Sequence, residues 1–321
     1  MNNQAISAKE EYRSIYKKFD LPIHFTPEWM DAVCIRGSWD VILEKDAKNR
    51  LVGILVYHTR KKYGMTLILM PMLTAYNGIF IFYPPGTKGH SKISYQNRVT
   101  ESLISQLPKC SLYYQQYHTE YTNWLNLYWQ GYNQTTRYTY ILDKRQGEDL
   151  LREKLKGTLR RSFRHVKNNF TIVQQDFNSF WDALEKSFRN RQKEIPYNKQ
   201  ALSNLFSTFG SDQLSAKSCI HNETGELVSG AVVVADKTTS YFIANYYTPT
   251  ARPSGSLGYL MWRSVFDFET IKCDFEGSML KEIEFFLRSF GGQLTPHYKI
   301  HKIHNPVLRL GLKIFKPQLF A

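Results

Sequence analysis

One order of elements recurs along this chain at a nearly constant spacing, and no other feature restricts its fold as much. Residues 92–107 have helical apolar spacing and stop at Pro108. A strand follows over 110–117, a short helix over 121–128 and a strand over 135–142. The same sequence of helix, strand, helix and strand returns over 256–270, 271–276, 279–290 and 293–300, displaced by about 160 residues. The residues themselves hardly match, so the architecture is what repeats. With 321 residues in the chain and about 100–200 in a usual domain, the repeat predicts two similar domains, 1–145 and 146–321. The linker is expected near Tyr140–Gly147. The tail, 303–321, with a helix over Pro306–Phe320, is expected to pack back on the first domain.

The elements before each repeat complete a sheet. In the first half a helix is expected over 7–18, with strands over Trp39–Glu44, Leu51–Arg60, Met65–Met70 and Ile79–Tyr83. In the second half a basic helix over 148–168 precedes a strand over 170–175 and helices near 178–193 and 198–208. Strands over 213–220, 227–235 and 239–247 come next. The fold class is α/β (α+β): two tandem domains, each a mixed twisted sheet flanked by helices.

Composition narrows the function. The hydrophobic fraction of 42% supports an ordinary core, and aromatics at 15%, with 21 tyrosines, suit packed strands and cleft walls that need a polar tip. The net charge of +14 attracts phosphate-bearing partners: nucleic acid, a nucleotide cofactor or an anionic membrane face. Cys34, Cys110, Cys219 and Cys273 form no clustered spacing and read as reduced thiols. The first twenty residues carry no apolar run and no stretch approaches 18 apolar residues, so a cytoplasmic chain without signal peptide or membrane span is expected.

Three segments can carry chemistry. The first, Tyr241 to Leu260, reads as a strand, a polar loop holding Arg252 and Gly255, and a helix start at Ser256 and Gly258. Unpaired N–H groups at a helix start bind phosphate; the alternative is a capped loop with a structural glycine. The second is Lys272-Cys-Asp274-Phe-Glu276-Gly277-Ser278. On a strand Asp274 and Glu276 share a face, roughly 7 Å apart, placed to bind an amine or act as general base. The alternative is that one carboxylate is structural. Ser278 is expected to cap the next helix. The third is the basic helix. Leu151, Leu155, Leu159, Phe163 and Val166 make its apolar stripe, and Arg160, Arg164 and Lys167 line one side. That side is either a solvated face or a phosphate contact. His297, His301 and His304 lie in and just beyond a strand, where they do not converge on one metal, so no metal site is expected. No serine nucleophile elbow is present.

Taken together, these residues resemble the Fem-type peptidoglycan aminoacyltransferases, within the wider GNAT acyltransferases. The likeness is carried by Phe275-Glu-Gly-Ser, by Phe285-Phe-Leu-Arg-Ser-Phe-Gly-Gly292, by the Leu-Arg-Arg-Ser-Phe-Arg helix and by Pro71-x-Leu-Thr-x-Tyr76-x-Gly78. It implies two GNAT-like domains and transfer of an acyl or aminoacyl group to an amine, with acyl-CoA or aminoacyl-tRNA as donor. GNAT proteins hold the donor pyrophosphate with [RQ]-x-x-G-x-[GA]. Arg252 and Gly255 fit that pattern, but Leu257 stands at its last position and Gly258 is one place late. The lysine of the Fem pattern Phe-Lys-x-x-Phe-Gly is Leu287 here; Lys299 or Arg252 would have to replace it. Under this resemblance Asp274 or Glu276 orients or deprotonates the amine, and backbone amides near Asn245–Tyr247 polarise the carbonyl. Tyr246, Tyr247 or Tyr259 protonates the leaving group. Tyr76, Tyr259, Arg160 and Arg164 contact substrate. The partners implied are a small-molecule or cell-wall-precursor acceptor, then tRNA, then a peripheral contact with the inner membrane face. Three readings stay open: an acyl-CoA-dependent N-acyltransferase, a tRNA-dependent Fem enzyme, and a degenerate pair of domains that binds an anionic envelope precursor without turnover.

Overall fold

The computed structural model describes residues 6–249, 254–306 and 308–310. They fall into two compact units. Unit 1 lies within Met1–Phe19, His24–Arg137 and Pro296–Ala321; unit 2 lies within Asp20–Ile23 and Tyr138–Thr295.

Unit 1 begins with α1 (Ala8–Ile15), started by a capping box in which Ser7 and Glu10 each bind the other's backbone N–H. A second short helix, α2 (Pro27–Val33), was not foreseen; Thr26 caps it and Pro27 opens it. The sheet runs β1 (Ser38–Lys45), β2 (Leu51–Lys62), β3 (Met65–Leu69), β5 (Leu112–Gln116) and β12 (Gln293–Ile303), with β4 (Gly78–Ile81) also paired to β2. Only β3–β5 is parallel among these pairs. β2 is buried from Val52 to His58 because α3 (Gly89–Ser105) lies across it. A Cβ on Gly53 would sit 2.5 Å from Val99 and 3.2 Å from Leu103, so glycine permits that close approach. Leu55, Ile79, Val99, Leu103 and Ile300 share one core, each burial contributing about 1.5–3 kcal/mol. α4 (Leu125–Trp129) and the first half of β6 (Asn133–Asp143) complete the unit.

Unit 2 takes the second half of β6. Its strand order is β6, β11 (Lys272–Asp274), β10 (Thr239–Tyr247), β9 (Leu227–Ala235), β8 (Leu214–His221) and β7 (Phe170–Gln174). Again one of the pairs, β10–β11, is parallel. The basic stretch is two helices, α5 (Glu148–Lys154) and α6 (Gly157–Asn169), where one was expected. The break at Leu155–Lys156 is tertiary in origin. Lys156 N–H donates to Ser289 O at 2.8 Å, and Gly291 approaches Lys154 so closely that a Cβ would lie 2.5 Å from its carbonyl oxygen. α7 (Phe177–Asn190) and α8 (Lys199–Thr208) follow, each capped by the side chain before it, Asp176 and Asn198. α9 (Ser256–Ser264) packs on β9 and β8 and against α6; α10 (Lys281–Arg288) precedes β12.

The repeated order is present: α3, β5, α4, β6, then α9, β11, α10, β12. Each last strand crosses over. β12 pairs with β5 in unit 1, and β6 pairs with β11 in unit 2. Of the expected tail helix, residues 306 and 308–310 are helical; Val307 and residues 311–321 lie outside the described residues. No helix of the described residues is long and apolar enough to cross a membrane. The four cysteines are free. Burial pushes the Cys34 thiol up to about 12 and the Cys110 thiol to about 11, which makes both poor nucleophiles.

Candidate active site

In unit 2, β10 and β11 pair over only three positions, ending at Tyr241↔Asp274. β11 stops there, while β10 runs on to Tyr247. β10 also carries an extra residue at Ile243, since Phe242 faces Val233 and Ala244 faces Val232. Such a bulge bends a strand. The chain that leaves β11 therefore turns away from β10, and the turn holds both candidate carboxylates.

This corrects the expected geometry. The strand does not reach residue 276, so Asp274 and Glu276 do not share a strand face. Asp274 is buried and structural. Its Oδ1 accepts the Thr139 hydroxyl and, at 2.8 Å, the backbone N–H of Glu276. Glu276 has φ +55°, and Gly277 after it has φ +64°. A non-glycine residue held there costs of order 1–3 kcal/mol, a strain typical of functional turns. At Gly277 no side chain fits, because a Cβ would lie 2.0 Å from Tyr138 O and 2.7 Å from Thr139 Cα. The backbone clamp thus fixes Glu276, whose half-buried carboxyl is held by burial well above the usual carboxylate range. Ser278 bonds Leu280 N–H at 3.1 Å and does not cap α10, whose N-cap is Leu280.

Two residues the sequence reading missed belong to the same place. Tyr197, in the loop between α7 and α8, accepts the Asn245 N–H at 3.2 Å and donates toward Asn245 O at 3.5 Å. Burial raises its hydroxyl, the Asn245 bond lowers it, Glu276 raises it and Arg191 lowers it, so all three side chains are within electrostatic reach. The Asn245 amide is therefore occupied by Tyr197 and is not a bare carbonyl donor. Arg191, just after α7, stacks on Phe188 at 4.3 Å and on Tyr247 at 4.2 Å; its Nε donates to Ser187 O. Its Nη2 is buried without a partner. An Arg and a Tyr in a loop after an amphipathic helix leave no periodic signal, so only the fold reveals them.

The other expected residues divide. Tyr247 stays at the site under Arg191. Tyr246 does not: it is fully buried, its ring fills the space over Gly230 and meets Phe180 at 5.3 Å, and its hydroxyl bonds Ser218 at 2.9 Å. Tyr259 also faces inward, 5.3 Å from Phe163. Tyr76 is buried in unit 1, edge-on to His24, His118 and His297. Arg252 lies outside the described residues. Gly255 has φ +78° and precedes α9, which has no side-chain cap. Its missing Cβ gives room to Ser162, and that of Gly258 to Leu159, so both glycines serve the crossing of α6 over α9. Ser256 is buried, and its hydroxyl accepts from Ser229 at 3.1 Å. Arg160 and Arg164 are exposed on α6, the helix that touches the start of α9. Leu287 belongs to the core of unit 2, and its neighbour Arg288 meets Glu284 at 3.5 Å. Among the described residues no three His, Cys, Asp or Glu side chains gather as a metal site.

No family model matches the chain, and no curated protein matches it. Solved structures do. The crystal structure of FemX aligns with a TM-score of 0.69 at 12% identity, covering 95% of this chain and 98% of its own. The C-terminal domain of a lysylphosphatidylglycerol synthetase from Agrobacterium fabrum aligns at 0.52 and 11% identity, over 87% of this chain and 89% of that one. A tandem GNAT protein from the clavulanic acid biosynthesis pathway aligns at 0.50 and 8% identity, over 91% and 92%. The chain has a Fem/GNAT-like tandem fold.

Proposed function

We propose that this chain is an N-acyltransferase that moves an acyl group from an activated donor to the amine of a cell-envelope or related small-molecule acceptor. The observation that carries this is Glu276: a carboxyl of raised pKa, held in left-handed backbone where two parallel strands part, beside a buried tyrosine hydroxyl. A base poised nearer neutrality than an ordinary carboxylate is suited to deprotonating an ammonium at working pH. The donor supplies the activated carbonyl. Glu276 takes the proton from the amine as its nitrogen bonds the acyl carbon; Tyr197 returns a proton to the leaving group as the carbon–sulfur or carbon–oxygen bond breaks. Arg191 and Tyr247 bind and orient substrate, and Asp274 positions Glu276.

Acyl-CoA is the preferred donor. The start of α9, where Ser254 accepts the Ser256 N–H at 3.1 Å, lies beside α6, whose exposed Arg160 and Arg164 suit donor phosphates at its rim. The apolar Leu287 removes from α10 the lysine expected of a tRNA-dependent Fem enzyme. A binder without turnover is the second reading, and the crowding of Gly255 and Gly258 by α6 favours it. Thiol release from acetyl-CoA in the presence of a panel of amines separates the readings. Turnover is expected, reduced at least about tenfold by Tyr197→Phe. Silence with acetyl-CoA and with charged tRNA would overturn the enzyme reading. Arg160→Ala combined with Arg164→Ala should weaken CoA binding about 3–10-fold at low salt and less at high salt. Equal affinities at both ionic strengths would leave α6 a solvated face.

A further inference from the structure

The chain that leaves Glu276 runs through Gly277 and Ser278 into α10, and on the way it turns apolar side chains toward water. Met279, Leu280 and Ile283 are all exposed, Leu280 to 65%. Leu280 also stands at the N-cap of α10 and makes no side-chain cap there. Ser, Thr, Asp or Asn stabilises a helix start at that position, and leucine does not. The sequence thus gives up a cap for an apolar side chain that gains little burial. A local rule broken without structural return points to function.

These side chains form one face. Leu280 and Ile283 lie a turn apart on α10, and Leu287, four residues on, carries the same stripe into the core of unit 2. Tyr138, also exposed, borders the face. It precedes Tyr140 by two residues on β6 and so shares its side of the sheet. The Tyr140 hydroxyl donates to Glu284 Oε1 of α10 at 2.5 Å, which places α10 on that side. Gly277 packs on Tyr138 O, so the face begins where the Glu276 turn ends. Contiguous exposed apolar surface marks a ligand or partner site.

The reaction says which substrate meets it. The amine nitrogen bonds the acyl carbon and its proton passes to Glu276; the carbon–sulfur bond breaks and the leaving thiolate takes the Tyr197 proton. The nitrogen therefore lies at the Glu276 end of that line and the leaving group at the Tyr197 end. The apolar face departs from the Glu276 end, so the group it meets is the one attached to the nitrogen. We propose that the acceptor is an amphiphilic primary amine whose aliphatic chain lies along Met279, Leu280 and Ile283, beside Tyr138. This names the substrate class of the site and rests on the acyl-transfer reading.

A series of ethylamine, butylamine, hexylamine and octylamine tests it, with thiol release from acetyl-CoA read for turnover and calorimetry for binding. Both kcat/KM and affinity should rise about 1.5–2-fold for each methylene, less than full burial would give because one side of the chain stays in water. The gain should lie in KM, since the chain is bound alike before and during the reaction. Leu280→Ser with Ile283→Gln should flatten both series. Leu280→Ser alone should melt at or above the temperature of the parent, because serine caps α10. Acyl-CoA donors from acetyl to octanoyl, each with ethylamine, should give a flat series; a rise there instead assigns the face to the acyl chain and overturns the proposal. Equal kcat/KM and equal affinity for all the amines overturn it too, while acyl transfer stands. Affinity that rises with chain length, without turnover of any amine, keeps the apolar site and overturns the acyl-transfer reading. A dimer that Leu280→Ser dissociates shows the face taken by a second copy of the chain and overturns the proposal.

Discussion

Glu276→Gln should lower kcat for acyl transfer by about 10²–10⁴-fold, the range for losing a general base. The fold should survive, because the Asp274 clamp holds the backbone of residue 276 through its N–H. The pH dependence follows from the raised carboxyl. The base form exists only above the native pKa, so the acid limb of the parent's rate profile should lie well above the ordinary glutamate value of about 4.3; in the variant that limb should vanish. Stability has a matching signature. A carboxyl whose pKa is raised in the folded state contributes fully below its unfolded value and loses that contribution as pH rises through the folded one. Stability of Glu276→Gln relative to the parent should therefore increase from about pH 4 upward. A variant that keeps parental turnover, or a rate profile unmoved by the substitution, would remove Glu276 from the mechanism.

Gly277→Ala should be the most damaging methyl group that can be added at the site. The new Cβ meets backbone at Tyr138 and Thr139, not a movable side chain, and φ is +64°. Strain and displacement together should cost about 3 kcal/mol or more, a fall in Tm of about 6–12 °C for a chain unit of this size. The turn can relieve the clash only by shifting Glu276, so turnover should fall with stability. A parental melting temperature would show that the clamp between β6 and the turn is looser than described. Gly258→Ala offers a contrast, since its Cβ meets the tip of Leu159, which can rotate aside.

Several site residues were legible in the sequence for sound reasons, and others were not. Glu276 was named because strand alternation placed it on one face with Asp274; the residue stands at the site, but a turn of left-handed backbone, not a strand face, puts it there. Asp274 was found but its role was misjudged: strand alternation assumes the strand continues, and here it ends two residues short of Glu276. Gly255 and Gly258 were read as room for a phosphate, whereas α6 takes up the space at both. Tyr246 and Tyr247 are neighbours on one strand. A one-residue bulge at Ile243 and the packing of Phe180 settle that Tyr246 is core and Tyr247 lies under Arg191.

By itself the sequence determined the kinds of element and their order, because apolar periodicity and caps are local: the 3.6-residue stripe of α6, the Ser7–Glu10 box, the alternation of β1. It also determined the doubled helix–strand–helix–strand pattern and, through it, the fold class. The tertiary structure decided which strand completes which sheet. Nothing local in β6 or β12 records that each crosses to pair in the other unit. It decided where the basic helix breaks, since the partner that meets Lys156 is Ser289, far along the chain. It also decided that Arg191, Tyr197 and Glu276 meet. Such encounters come from long-range pairing and from the burial of whole faces, and those free energies belong to no short stretch of residues.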